Sequence, residues 1–284
     1  MSKRIVVDTS TGGLDYYPFS HDVKILRIKI YLDDKEYLDG YDLKADEFYR
    51  LLRDHEDLVP KTSQPSVGDV IQFFEKLYEE GYDEFFVTTL SAVLSGTHNS
   101  IVLAARELAD KMNIRIFDTK TVCFSEGLFA LEADKMLKAG KSFDEIEEKL
   151  GMMRKNNTIF FAVDSLNYLV LNGRLSGAAA FVGKLLKIKP ILQVQETGHI
   201  VSIEKIRNIK NALSSIASKV IAYTNGREFD AYVLYTGNPR LRAHFIETLK
   251  TELGLENLYE APSTPVVGAH IGPDVIGVGI FLKS

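Results

Sequence analysis

The chain has a single cysteine, Cys123, and that scarcity excludes an internal disulfide. It also fits a reducing cytosol. Val122 and Phe124 flank the thiol, which suits a buried, inert side chain better than a nucleophile. No apolar run approaches the roughly 20 residues that cross a bilayer. The opening MSKRIVVDTS leads directly into a strand and lacks the apolar core of a signal peptide. Blocks of lysine and arginine are missing too. With a net charge of −5 and a pI near 5.8, this argues against a nucleic-acid surface. Together these absences describe a protein expected in the cytoplasm, without a transmembrane segment or a nucleic-acid partner.

Signatures of catalysis are equally scarce. Ser95 lies in Val-Leu-Ser-Gly-Thr, which is not the G-x-S-x-G elbow of α/β-hydrolases. Gly177 to Lys184 superficially resembles a Walker loop, but its spacing is one residue too long and Leu185 stands where Ser or Thr is needed. No G-x-G-x-x-G opens a helix after a strand. The six histidines form no H-x-x-x-H pair, so a metal site has no local support.

What is present is an ordinary globular composition, 45% hydrophobic and 26% charged, in a chain long enough for two modest lobes or one large unit. Arg4–Val7 predicts a strand ending in the polar turn Asp8–Gly13, and Val23–Tyr31 predicts another strand with Glu36–Leu38 as its partner. Asp42 is expected to cap a helix through Leu52, and Pro60–Pro65 to break it. Ser66-x-x-Asp69 reads as a capping box, and Ser142-Phe143-Asp144-Glu145 as the cap of a later helix. Strands and helices then alternate through Leu150, the pattern of βαβ units in a largely parallel sheet. The pattern resets near Asn156, giving units 1–155 and 156–284. In the second unit we expect an Ala-rich helix over Gly177–Leu186, a hairpin from Ile188 to Ile203, and a helix opened by Asn238-Pro239. Val266–Leu282 reads as a loop feeding a final strand.

The centre of the reading is Glu84–Ser100, EFFVTTLSAVLSGTHNS. A buried strand runs through a small-residue turn into a helix. First-turn N–H groups there lack intrahelical partners and the helix dipole adds partial positive charge, so the turn suits an anion. Other polar loops, Thr62–Ser66, Asp164–Ser165, Asn172–Arg174 and His270–Pro273, offer hydroxyl and N–H donors better matched to a carboxylate or phosphate than to a cation. Those that follow strands belong at the sheet's carboxyl edge, where α/β folds bind ligands.

In order along the chain stand VVDTST, KTSQPS, LSGTHNS, DTKTVCFSEG, DSLNYLVLNGR, KLLKIKPIL and AHIGPDVIGVG. This ordered set resembles the DegV family, which includes the fatty-acid-binding (FakB-type) subunits of bacterial fatty acid kinase. The resemblance implies a two-domain α/β fold, with a largely parallel sheet in the N-terminal domain and a mixed α/β C-terminal domain, enclosing one long-chain fatty acid such as palmitate or oleate. It implies that Thr62, Ser95 and His270 hold the carboxylate, and that Arg174 serves phosphorylation or docking to a kinase. A separate ATP-dependent kinase subunit would make the acyl phosphate for phospholipid synthesis. The chain itself would then need no cofactor or metal, carry no catalytic residue and touch membranes only transiently. Three positions depart from the pattern: Asp274 and Val93 stand where glycine is usual, and Asn172 replaces the first glycine of G-G-R. Asp274 is expected to bring negative charge near the carboxylate loop. Two rival readings are a serine acyl hydrolase using Ser95 with His270 as base, and a sensor of a small phospho-ligand.

Overall fold

A computed structural model describes residues 3–55, 57–177 and 189–283. The expected Ala-rich helix over Gly177–Leu186 lies almost wholly outside the described residues. Three sheets organise the rest. The first is fully parallel, in the order β2 (Lys24–Leu26), β1 (Arg4–Thr9), β6 (Glu84–Thr89), β7 (Asn113–Asp118). Helices α2 (Val67–Glu79) and α3 (Thr97–Glu107) cover one of its faces, and α4 (Phe124–Lys138) and α5 (Phe143–Lys155) pack on the other. The second sheet is mixed, in the order β10 (Ile200–Ile206), β9 (Lys189–Val194), β8 (Asn157–Ala162), β13 (Ile276–Leu282), β11 (Phe229–Tyr235), β12 (Tyr259–Pro262). Its outer face packs against α7 (Ile209–Thr224) and α8 (Pro239–Leu253). The third is a small antiparallel sheet of β4 (Lys35–Leu38), β3 (Lys29–Leu32) and β5 (Lys61–Ser63).

Where local chemistry is self-sufficient, elements form where the sequence places them. Ser66 and Ser142 each close a reciprocal capping box, with Asp69 and Glu145. Asn238 accepts from Leu241 N–H and Pro239 occupies the first helical turn. Val194 and Ile200 close the expected hairpin.

Four expectations need correction. Val23–Tyr31 is two strands, because Lys24–Leu26 pairs with β1 while Lys29–Leu32 joins the small sheet. Helix α1 (Ala45–Asp54) starts after Lys44, and the Asp42 carboxylate instead accepts from Leu38 N–H at 2.8 Å. Lys61–Ser63, read as a helix breaker, pairs with β3. Most consequential, the stretch after Thr264 contains a seven-residue helix, α9 (Pro265–Ile271), which puts His270 on a helix and not in a loop. Among the described residues no helix is long and apolar enough to cross a membrane.

The largest apolar cluster draws on both large sheets, with Phe86 and Phe117 from one side and Ile159, Phe161 and Leu192 from the other. At its edge, beneath β1, lies a fully buried acid pair. The Thr9 and Thr11 hydroxyls donate to the two oxygens of Glu126, and Thr88 donates to Asp8 Oδ1 at 2.7 Å. Gly12 and Gly127 let these segments meet: a Cβ at Gly12 would overlap the Asp8 carboxyl group. Loss of hydration pushes Asp8 up to about 7, and burial together with the Asp8 charge raises Glu126 well above its usual range. A carboxyl group raised in the folded state stabilises fully below its unfolded value of 3.8, and that stability is lost as the pH climbs through about 7. Glu126→Gln keeps the hydrogen-bonding shape and removes one ionisable group. Its Tm should exceed the wild-type value at about pH 8 by a few degrees and match it at about pH 5, as read by thermal unfolding monitored by circular dichroism.

Candidate functional site

The turn after β6 is held from both sides. Ser91 N–H donates to Thr121 O at 2.7 Å, and Leu94 and Ser95 N–H groups turn back to Ser91 O. Gly96 stands at the N-cap of helix α3 and has no side chain to cap it. Ser95 lies one residue ahead. Its hydroxyl accepts from Thr97 N–H at 3.2 Å and stands 2.9 Å from the Thr97 hydroxyl. Gly96 has an ordinary backbone conformation, so its need for glycine is spatial: a Cβ would run into the Gln64 amide. Ser100 Oγ accepts from Gln64 Nε2 at 3.1 Å and orients that amide against the turn.

Thr62 reaches the same place from β5, opposite Ile30 of β3. Its hydroxyl is 2.7 Å from His270 Nε2, joining residues 208 positions apart. Arg174, just beyond the short helix α6 (Asn167–Leu171), donates from Nε to Leu94 O at 3.3 Å and from Nη1 to Asn172 O. The structure thus gathers Thr62, Ser95, His270 and Arg174 along one cavity, together with Gln64 and Gly96. Gln64 is not singled out by the sequence reading, although it lies inside the quoted KTSQPS segment.

From this polar end the cavity continues between the two large sheets. Its walls are apolar, with Ile28, Leu90 and Val122 on one side and Ile159, Phe161 and Leu234 on the other. The space along these walls, counted together with the solvent at its open end, is about 840 Å³. Cys123 also lines it. Burial pushes that thiol up to about 12, so it is a neutral wall and not a nucleophile.

Burial, reinforced by the Arg174 charge, pushes His270 down to about 4. Its ring is neutral near pH 7, and Nδ1 is buried without a hydrogen-bond partner. The hydrolase reading calls for Ser95 within reach of His270. Here the Nε2 contact goes to Thr62 and the Ser95 hydroxyl turns to Thr97. The expected charge of Asp274 near the carboxylate loop is redirected. Its carboxylate accepts from Asn238 Nδ2 at 2.7 Å, at the start of α8, and it does not line the cavity. Asp164 and Ser165 are drawn into other roles, an ion pair with Lys189 and a cap on Asn167 N–H. Among the described residues no three His, Cys, Asp or Glu side chains are grouped to hold a metal. In NMR titrations of the ligand-free protein, the His270 ring should stay neutral down to about pH 5. Arg174→Met should raise its pKa, because it removes a nearby positive charge.

With this geometry in view, comparison with known proteins is informative. The family model described as an uncharacterised protein of the DegV family matches residues 2–283. A DegV domain-containing protein of Clostridium acetobutylicum is 34% identical over 275 residues, covering 96% of each chain. The crystal structure of a fatty acid binding DegV family protein from Streptococcus agalactiae superposes with a TM-score of 0.87 at 30% identity, covering 100% of both chains. A stearic acid-binding protein from Eubacterium ventriosum gives 0.84 at 29% identity, over 100% of this chain and 99% of the other. Sequence and architecture agree along the whole described length, and the chain belongs to the DegV family.

Proposed function

We propose that this protein binds one long-chain fatty acid in the cavity between its two units, residues 1–155 and 156–284, with the carboxylate at the Thr62–Ser95–His270 end. The observation that carries this reading is the division of the cavity: donors converge at one end and apolar side chains line the rest. A carboxylate taken out of water needs fixed hydrogen bonds, and an alkyl chain needs only dry walls. Each buried CH₂ contributes about 0.8 kcal/mol, so a 16-carbon tail supplies on the order of 10 kcal/mol before ordering costs. The tail dominates affinity; the hydroxyls set which end faces out. The fatty-acid-binding descriptions of the Streptococcus and Eubacterium relatives support the same ligand class.

The further step in this reading is presentation to a separate ATP-dependent kinase subunit. A carboxylate oxygen would attack the γ-phosphorus of the partner's ATP, ADP would leave, and an acyl phosphate would form. Support comes from the polar end of the cavity. Arg174 lines it, and Val93 and Leu171, close in sequence to Ser95 and Arg174, are 52% and 82% exposed, an apolar rim that a partner could cover. Arg174 is then the group to meet the phosphates or the docking subunit.

Solvent extraction of the denatured protein followed by mass spectrometry should recover about one long-chain fatty acid per chain. Thr62→Val and Ser95→Ala should each weaken uptake of a fluorescent fatty acid about tenfold, the scale of one hydrogen bond to a charged group. Recovery of no lipid, together with no uptake of added palmitate or oleate, would sink the proposal.

A further inference from the structure

Asp39 is fully buried and lies outside the cavity, yet it is tied to the element that carries His270. It follows β4, and its backbone is fixed by its neighbours. Asp39 N–H donates to Ile28 O at 3.0 Å, Arg27 Nη1 donates to Asp39 O at 2.9 Å, and the residue bridges to Leu43. Its side chain extends away from these anchors, and Oδ1 accepts from Val266 N–H at 3.0 Å, across 227 residues of sequence. Val266 is the second residue of α9. Its N–H has no acceptor within the helix, Pro265 before it has no N–H, and the Thr264 side chain forms no cap. Asp39 therefore caps α9 from another part of the chain. The Ser10 and Thr264 hydroxyls stand beside the same carboxyl group.

Such a short helix has little internal stiffness to define its own position. Phe48 and Tyr49 press on its middle at Gly268, where a Cβ would overlap both rings, and this contact sets how near the helix can approach. An apolar contact of this kind does not specify the helix's rotation or its placement along its axis. A directional hydrogen bond at Val266 does. His270 is four residues further on, one turn along and on the same face, so a shift at Val266 is carried to the ring. The ring's partner Thr62 belongs to β5, which shares β3 with β4. Both halves of the 2.7 Å Thr62–His270 contact thus take their position from one small sheet: Thr62 through β5, and His270 through Asp39.

We infer that Asp39 is a positioning residue for the fatty-acid head group, acting through α9 to hold His270 against Thr62. This rests on the fatty-acid reading for its consequence, but not for its geometry. Asp39→Asn retains an acceptor oxygen for Val266 N–H, whereas Asp39→Leu fills the space without one. Leu249→Ala serves as the stability control, since Leu249 is a buried residue of α8 in the outer cluster and does not line the cavity.

The test compares the affinity of a fluorescent fatty acid with the His270 ring resonances of ligand-free protein. Asp39→Leu should bind at least about tenfold more weakly and shift the ring signals. Asp39→Asn should stay within about threefold of wild type with the ring signals in place, and Leu249→Ala should lower Tm without either change. Val266→Pro removes the donor at a helix position that tolerates proline, so it should displace the same ring signals even if Asp39→Leu fails to fold. The inference is overturned if Asp39→Leu or Val266→Pro leaves the His270 signals where they are, or if Asp39→Asn falls as far as Asp39→Leu. Should the wild type bind no fatty acid at all, the function is wrong, and the ring signals still decide the role of Asp39.

Discussion

The contact between Thr62 and His270 is the joint on which the site depends. Neither side chain is held by its own neighbours in sequence. Thr62 is placed by an edge pairing with β3, and His270 by a two-turn helix whose first turn is capped by Asp39, 227 residues away in sequence. A hydrogen bond this specific across more than 200 residues needs rigid elements on both sides, and the small three-stranded sheet supplies the common reference. The turn carrying Ser95 then closes against the pair through Gln64, for which Gly96 leaves room.

The same joint explains the electrostatic character of the cavity. Burial beside Arg174 keeps His270 neutral, so fixed positive charge near the polar end comes from the guanidinium, with hydroxyls and a ring nitrogen between. A neutral donor set holds a carboxylate by direction more than by charge. Such a set loses less to desolvation when the cavity is empty, since no second charge has been stripped of water. Elsewhere the fold tolerates three fully buried acids, Asp8, Glu126 and Asp39; hydroxyl or N–H groups meet part of each, while Asp8 Oδ2 and Asp39 Oδ2 have no hydrogen-bond partner, and burial raises all three.

The candidate site was legible in the sequence as a set of residues and not as an arrangement. Thr62, Ser95, His270 and Arg174 stand in the quoted motifs, and the structure brings all four to one cavity. That Thr62 and not Ser95 meets His270 could not be read from spacing, because the distance between them is set by three sheets. Asp274 shows the converse. Its charge looked close to the head group along the chain, but a single hydrogen bond to Asn238 turns it away.

The sequence by itself determined the elements whose signals are local. These include the strand, turn and helix from Glu84 onward, the capping boxes at Ser66 and Ser142, the Asn238-Pro239 helix start and the hairpin of β9 and β10. Their signals lie within each segment, so periodicity, turn residues and caps suffice to specify them, even where, as for β6, the ladder partners come from the distant β1 and β7. Only the tertiary structure decided the split of Val23–Tyr31 between two sheets, the strand at Lys61–Ser63 and the helix under His270. Each of these is too short to be stable alone and exists because a distant segment pairs with it or caps it.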